Sequence, residues 1–556
     1  MKVTRRDLLV WSAGAAAGLM VTPVPWKLLD DTSIWSQNWP WIPQPARGPV
    51  EVKMSACTLC PNGCGTKVKM AAGWPVGVAG VDTHPISRGT LCPLGFGTHQ
   101  LNWHPRRLRT VRHGGRASTW NDARTAFAKA SSEGPVVIID GYPGRAASSV
   151  LQSFVQKQKG EYRVVLGPEM RALAPYEEWS GVPASALGYD LENTQTIVSF
   201  GAPLLDGWGP PGRFTRMWAE HAAGADDPRL RLIQVDASLS RTAGRAWQWV
   251  PILAGSESAL AAGLAGVLLE EHLVSAHGPI PTLPLAEAST QTGLSTDAIR
   301  QLARTIVART PAVAIAADNS PEIAALNVLL GSVGARGGIV RKSKQAEAYI
   351  PADLPFANAR AVLLDASAPW DFIPQTNAEV FRFAAWDGGS DRTDWLLPAP
   401  GFLEELTDVP TAPTVALETY AIAPSLVKAP HEVHSSAEFL GSLDPSLPTT
   451  EKMIQLRCVD IFRGHAGTLR GEEDTPIAKL ASAQTLEEQL SKGAVWVSDD
   501  SHAATLRCDL KQWPTAVPAA PPESWSSAWH APVLPSLATK LYRESILREA
   551  PEKRFV

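Results

Sequence analysis

The chain is expected to be an α/β protein, with a small, loop-rich N-terminal domain followed by interleaved doubly wound parallel-sheet domains. Three observations predict this. Four of the six cysteines fall between positions 57 and 92, among glycines. From Trp120 to about position 400, wholly apolar runs alternate with helical stretches, the pattern of strands buried on both faces and joined by crossover helices. The length of 556 residues exceeds what one hydrophobic core organises, so roughly two to four domains are expected.

Thr4-Arg5-Arg6-Asp7-Leu8-Leu9 carries a twin-arginine pair, and Leu8 to Val21 is uncharged and rich in alanine and glycine. Residues 1–25 therefore read as a twin-arginine export signal; the plainer reading is a frayed helix with two solvated arginines. The uncharged stretch is too short for an ordinary membrane span. No Ala-x-Ala cleavage site stands near Val21, so the segment is expected to be retained as an anchor on the periplasmic side of the bacterial cytoplasmic membrane. Export of an already folded protein agrees with reduced cysteines held by a cofactor. Residues 26–50, with Trp35, Trp39, Trp41, Pro40, Pro43 and Pro45, show no period and are expected to form an extended arm.

Residues 51–112 hold the chemistry. In Ser55-Ala56-Cys57-Thr58-Leu59-Cys60-Pro61-Asn62-Gly63-Cys64, three thiols are separated by two and then three residues. A further 27 residues separate them from Cys92 in Gly89-Thr90-Leu91-Cys92-Pro93-Leu94-Gly95. A cubane [4Fe-4S] cluster needs four thiolates converging from a tight loop and one distant point, which makes Cys57, Cys60, Cys64 and Cys92 the candidate metal ligands. Zinc competes, because four thiolates also close a tetrahedral structural site; disulfides are the third reading. Short strands are expected at Gly65 to Met70 and Pro75 to Gly80. The domain has little apolar core of its own, so its folding should depend on its metal.

Residues 113–400 supply the α/β pattern. Strands are expected at Val136–Asp140, Tyr162–Leu166, Thr196–Gly201, Leu230–Asp236, Ala312–Asp318 and Ala361–Asp365, with helices at Ala146–Lys159, Ser256–Leu273, Thr296–Arg309 and Pro321–Leu330. Ligands of such sheets sit at the carboxyl ends of the strands. The candidate loops are Gly141-Tyr142-Pro143-Gly144, Gly201-Ala202-Pro203, Asp236-Ala237-Ser238 and Asp318-Asn319-Ser320. The turn Gly331 to Gly338 could offer backbone N–H groups to a phosphate beside Arg336. For each loop the plain alternative is that glycine only permits the turn.

Residues 401–556 lose the alternation and read as irregular and helical. A helical start is expected at Leu403-Glu404-Glu405, helices at Glu451–Phe462 and Thr485–Leu490, and a strand at Ala494–Val497. His465, His502, His530, Cys458 and Cys508 lack metal-ligand spacing, so buried thiols and surface histidines are expected, with a Cys458–Cys508 disulfide left open.

Together these strings resemble the molybdopterin oxidoreductases of the dimethyl-sulfoxide-reductase type. The resemblance is carried by the twin-arginine start, the cysteine spacing, Pro105-Arg106-Arg107-Leu108, Trp120-Asn121-Asp122-Ala123, Ser199-Phe200-Gly201-Ala202-Pro203-Leu204, Val235-Asp236-Ala237, and Leu396 to Ala399 with Glu404. Within that family the chain is most similar to the molybdopterin-like large subunits of bacterial membrane quinone reductase and alternative-complex-III-like assemblies, some of which lack molybdenum. The resemblance implies one [4Fe-4S] cluster and marks Gly201, Asp236 and Arg336 as remnants of a pterin site. It also implies partners: a ferredoxin-like iron–sulfur subunit, a multihaem cytochrome and a polytopic quinone-binding membrane subunit.

Three departures count against bound molybdopterin guanine dinucleotide and molybdenum. Where the family usually has a lysine two residues after the last cluster cysteine, this chain has Leu94. The segment Met170 to Trp179, where the metal ligand should stand, has no thiol or hydroxyl at the expected place and offers only Glu177 and Glu178. The string Lys540 to Arg548 precedes a β-barrel lid in relatives, whereas only Glu549 to Val556 follow it here.

The reading that results is an electron-transfer subunit of a membrane-associated quinone or cytochrome oxidoreductase complex. The alternatives are an active molybdenum or tungsten bis-pterin oxidoreductase with a partner-supplied lid, and a zinc-stabilised scaffold subunit. With a net charge of -4, nucleic acid is not an expected partner.

Overall fold

The computed structural model describes residues 3–21, 48–205, 207–221, 228–275, 280–342, 348–356, 358–368, 375–387, 393–429, 431–499 and 506–508. The greater part of the expected arm at 26–50 and the string Lys540 to Arg548 lie outside the described residues. A helix, Arg5–Val21, opens the chain. Thr4 caps it, its Oγ1 accepting from the Asp7 N–H at 3.2 Å while the Asp7 carboxylate accepts from the Thr4 N–H at 2.9 Å, a reciprocal pair that satisfies two orphan donors. Among the described residues no helix is long and apolar enough to cross a membrane.

The cysteine region is built on an antiparallel meander, Val50–Ala56, Gly65–Ala71 and Trp74–Gly80. Ala56 pairs with Gly65, so residues 57–64 form the hairpin loop between the first two strands. Little apolar surface is buried here beyond Val68, Met70, Val78 and Leu91, and those pack against Phe402, Leu403 and Val427 from far along the chain.

Two parallel sheets follow, and the chain interleaves them. The larger runs Ile350–Pro351, Glu161–Val164, Val136–Asp140, Ala361–Leu364, Glu379–Ala384 and Trp395–Pro398 in parallel, then adds Arg112–His113 and Arg116–Ala117 antiparallel at one edge. The smaller, Gln248–Pro251, Arg231–Asp236, Thr196–Phe200 and Ala312–Ala316, is all parallel and is inserted between the two halves of the larger. Every residue of Val136–Asp140, Thr196–Phe200 and Ala312–Ala316 is buried, which is why these runs read as apolar throughout rather than alternating.

Crossover helices cover the sheets. Trp120–Glu133 starts at a capping box of Thr119 and Asp122. Its Phe127 meets Phe381 and Phe439 edge-on, at centroid distances of 5.0 and 5.6 Å, the preferred aromatic geometry. Removing that ring should cost about 3–5 kcal/mol. On the inserted sheet, Asn327 of helix Pro321–Leu329 is fully buried and bonds both polar groups of Ala314 at 2.7 Å, together with the Tyr176 hydroxyl at 2.8 Å. A buried amide needs such partners, and here they lock helix to strand.

Two expectations fail in residues 401–556. Leu403-Glu404-Glu405 lies in turns, not a helix. Leu403 takes φ +66, a left-handed conformation a helix does not accept. The stretch expected to be irregular instead contributes Thr407–Val409 and Thr419–Ala423 to an antiparallel sheet with Thr468–Arg470, Thr475–Pro476 and Val495–Val497, the last of which lies within the expected strand Ala494–Val497. Thr407–Val409 and Thr419–Ala423 are short and lie among Pro410, Pro413 and Pro424, so they gave no usable period. Helices Thr450–Gly464 and Ala483–Ser491 stand close to the expected bounds. Cys458 and Cys508 are both free thiols and pack into different cores, so no bridge joins them.

Candidate functional site

The hairpin loop is closed at its base by Cys57 N–H donating to the Cys64 carbonyl at 2.7 Å. Inside it Gly63 takes φ +58, and a Cβ there would stand 2.1 Å from Val409 Cγ1; glycine is required both by conformation and by the close approach. The fourth cysteine arrives from elsewhere. Cys92 caps the short helix Pro93–Gly97, its sulfur accepting from Gly95 N–H at 3.3 Å.

Cys57, Cys60 and Cys64 are buried, Cys92 is half-buried, and each buried thiol feels its neighbours. Burial pushes the Cys57 thiol up to about 12, eased by the Leu59 N–H and raised further by the neighbouring Cys92. Burial also raises Cys60, with Cys57, Cys64 and Cys92 adding to it, and raises Cys64 in the same company. Without a cation the Cys57, Cys60 and Cys64 thiols stay protonated; a metal centre must displace those protons as it binds. The first turn of helix Pro211–His221 lies beside Cys64, since a Cβ on Gly212 would stand 3.8 Å from its Sγ. That end of a helix favours negative charge.

The donor set fits an iron–sulfur cluster on one further observation. Ser55 Oγ, Thr66 Oγ1 and the Tyr142 hydroxyl are buried without hydrogen-bond partners among the described residues. Ser55 and Thr66 are cross-strand partners at the root of the loop, and Tyr142 OH lies 3.6 Å from the position of a Gly63 Cβ. Unsatisfied polar atoms gathered at one place call for an explanation.

The loop is tied to both sheets. Asn62 Nδ2 donates to the Gly209 carbonyl at 2.9 Å. Arg107 and Glu404, two residues marked by the resemblance, form an ion pair with side chains 3% and 0% exposed. Gly401 N–H donates to the same Glu404 oxygen at 2.7 Å, and Arg107 lies over the Trp386 ring at 5.7 Å. Leu94 packs with Cys60, Leu101, Ala385 and Trp386, an apolar contact where a lysine would have placed a charge.

Beside the loop, at the carboxyl end of Val136–Asp140, stands a polar network that the sequence did not reveal. Arg145 Nη2 donates to Asp140 Oδ1 at 2.9 Å and to Asp365 Oδ2 at 2.8 Å. Ser367 Oγ donates to Asp140 at 2.9 Å, and the Tyr162 hydroxyl donates to Asp140 at 2.8 Å. Burial alone would raise the Asp365 carboxyl, but Arg145 and the hydroxyls of Ser367 and Ser436 hold it well below the usual range. Two acids closing two parallel strands were visible in sequence; that one arginine would serve both was not. Next to this network a cavity of about 110 Å³ is lined by Cys60, Tyr142, Arg145, Ser367, Trp386 and Glu405. That is small beside the roughly 300–1,000 Å³ of ordinary ligand pockets.

The three residues expected as pterin-site remnants are not brought together. Gly201 and Asp236 lie at the carboxyl ends of adjacent strands, Gly201 N–H donating to Val235 at 2.8 Å. Asp236 spends its carboxylate locally, on Ser238 N–H at 3.2 Å and Ser240 Oγ at 3.0 Å. Arg336 sits at the opposite edge of that sheet, with Asn193, Gln195 and Pro311, where the strands begin. Five residues of strand separate the two edges, roughly 17 Å. At the end of the turn Gly331 to Gly338 the backbone is closely packed, since a Cβ on Gly338 would lie 1.9 Å from the Ser332 carbonyl oxygen. Asp318, in another candidate loop, is engaged by Arg171 at 2.8 and 2.6 Å.

The segment Met170 to Trp179 forms two short helices, Pro168–Arg171 and Ala174–Ser180. Glu178 is exposed, and Glu177 accepts from the Ala184 N–H at 2.9 Å. A cavity of about 350 Å³ adjoins them.

Comparison with known proteins agrees with this geometry. Residues 50–101 match the molybdopterin oxidoreductase Fe4S4 domain. Over 380 residues the chain is 32% identical to the menaquinone reductase, molybdopterin-binding-like subunit, of Nitratidesulfovibrio vulgaris, covering 64% of this chain and 55% of that one. Over 234 residues it is 23% identical to a nitrate reductase of Klebsiella oxytoca, covering 40% and 26%. The chain thus spans about half the length of the first of these relatives and less of the second. Among solved structures, acetylene hydratase from Pelobacter acetylenicus superimposes with a TM-score of 0.58 at 13% identity, over 87% of this chain and 79% of that one; at that identity the likeness is one of fold.

Proposed function

We propose that this chain is an iron–sulfur electron-transfer subunit of a membrane-associated quinone or cytochrome oxidoreductase complex, a reading supported by its match to the molybdopterin oxidoreductase Fe4S4 domain and by its fold. The observation that carries the reading is the gathering of the buried Cys57, Cys60 and Cys64 with the half-buried Cys92, in a chain whose Met170 to Trp179 segment offers Glu177 and Glu178 where the resemblance implies a molybdenum ligand. A cluster held by these thiolates supplies one-electron transfer. The chain's own part is to bury it, to place N–H groups and the first turn of a helix beside it, and to keep water away.

The rest of the fold then serves as scaffold. The partners in this reading are a ferredoxin-like subunit, a multihaem cytochrome or a polytopic quinone-binding subunit, and a quinone enzyme is also what the 32% identical relative is named for. The twin-arginine pair that opens helix Arg5–Val21 supports a place on the periplasmic side of the membrane. Elemental analysis of the purified complex tests the proposal. About four iron and four sulfide per chain, with visible absorption bleached by dithionite, is the expected result. Stoichiometric zinc without iron would sink it, and molybdenum or tungsten with extractable pterin would replace it by a catalytic reading.

A further inference from the structure

We propose that the Tyr142 hydroxyl donates a hydrogen bond to the iron–sulfur cluster and raises its reduction potential, a role that rests on Cys57, Cys60, Cys64 and Cys92 holding that cluster. Tyr142 belongs to the loop that leaves the central strand Val136–Asp140 of the larger sheet, and it is 4% exposed. Its backbone is pinned on both sides: its N–H donates to Asp140 Oδ1 at 2.8 Å, and its carbonyl accepts from Arg145 Nε at 2.8 Å. The Arg145 guanidinium lies over the ring at 5.3 Å. Apolar neighbours, Ala56, Val409, Ala421, Ala423 and Val495, enclose the rest of the side chain. The ring is therefore fixed, and the direction of its hydroxyl with it.

That hydroxyl has nothing to bond to among the described residues. It stands 3.6 Å from where a Gly63 Cβ would be, in the middle of the cysteine loop, and shares the wall of one small cavity with Cys60. A buried donor left unpaired is destabilising. Phenylalanine would fill the same apolar niche without that cost. The acceptors suited to the place are the electron-rich sulfurs of the cluster and its thiolates. Arg145 does not compete, because Asp140 and Asp365 already neutralise it. A donor facing sulfur stabilises the more negative, reduced state, so its presence moves the potential up.

Tyr142→Phe in the otherwise complete protein is the test, with iron, sulfide and a spectroelectrochemical titration measured side by side. The expected result is unchanged iron and sulfide with the reduction equilibrium shifted about tenfold toward the oxidised form, which is about 59 mV lower for one electron. A fully loaded variant with the wild-type potential overturns the proposal and leaves the cluster assignment standing. Absence of a cluster from the wild-type protein removes both together. If the variant loses iron, the wild-type protein labelled with ring-deuterated tyrosine decides. Deuterons coupled to the reduced cluster in electron–nuclear double resonance support the contact, and their absence refutes it.

Discussion

Lowering the pH from 7.5 to 5 should reduce the stability of this protein by about 2 kcal/mol through one side chain, His84. The imidazole is 4% exposed and lies against the cysteine hairpin: a Cβ on Gly65 would meet its ring at 2.7 Å. Its Nδ1 accepts from the N–H groups of Ile86 and Ser87, at 3.3 and 3.2 Å, so the neutral ring is the form that fits. Burial pushes its pKa down to about 4, from about 6.5 in an unfolded chain. The folded state thus resists the proton that the unfolded state accepts. Stability is complete above about pH 6.5, falls as the pH drops below that value, and levels off below about 4, where the loss reaches about 3 kcal/mol. Urea unfolding at pH 7.5 and 5, followed by circular dichroism, measures it in the wild type and in His84→Asn, whose amide oxygen replaces the acceptor without titrating. His434 is shifted the opposite way by its Glu438 contact, and its contribution cancels in that comparison. Equal losses in the two proteins would refute the reasoning.

Cys60→Ser should abolish iron incorporation and loosen residues 51–112, because metal binding and folding are coupled there; normal iron content with unchanged thermal unfolding would remove Cys60 from the ligand set. Glu404→Gln leaves the Arg107 charge buried without its partner, a change worth about 3–5 kcal/mol. Its urea midpoint should fall accordingly, and adding Arg107→Met should recover part of the loss; a midpoint within error of wild type would mean that the pair is dispensable. Gly63→Ala adds a methyl 2.1 Å from Val409 Cγ1 on a backbone at φ +58, so reduced cluster loading and a lower midpoint are expected. Wild-type values for both would contradict the packing described for the loop.

What could be read in the sequence depended on whether a signal was local. Val136–Asp140, Thr196–Phe200 and Ala312–Ala316 are apolar at every position because they are buried on both faces, and their bounds were found to within a residue or two. Cys57 to Cys64 was legible because a loop that supplies three ligands must space them closely. Arg107 and Glu404 were each recognisable as family strings, but their ion pair joins positions 297 apart, and no local pattern carries that. Tyr142 was present in a candidate strand-end loop, yet its relation to Gly63 exists only once the hairpin is folded against Val409. Arg336 shows the opposite failure. A glycine-rich turn with an arginine resembles an anion site locally, and only the topology shows that it lies at the starting edge of the strands.

The connections around the cysteine loop imply that cluster binding is not a private matter of residues 51–112. That region holds few apolar residues of its own, and its core is completed by Phe402, Leu403 and Val427. Asn62, within the loop, reaches Gly209 beside the inserted sheet. Arg107 and Arg112 reach Glu404 and Asp387 on the far side of the larger sheet's last parallel strands. Each tether joins residues 51–112 to a different length of chain, so ordering that region restricts all of them at once. Loss of the metal should therefore show itself beyond the cysteines: amide exchange ought to quicken at Gly401 to Val427 as well as along Val50 to Gly80. Protection that drops only along Val50 to Gly80 would mean that the tethers hold without the cluster, and that the small domain alone answers to its cofactor.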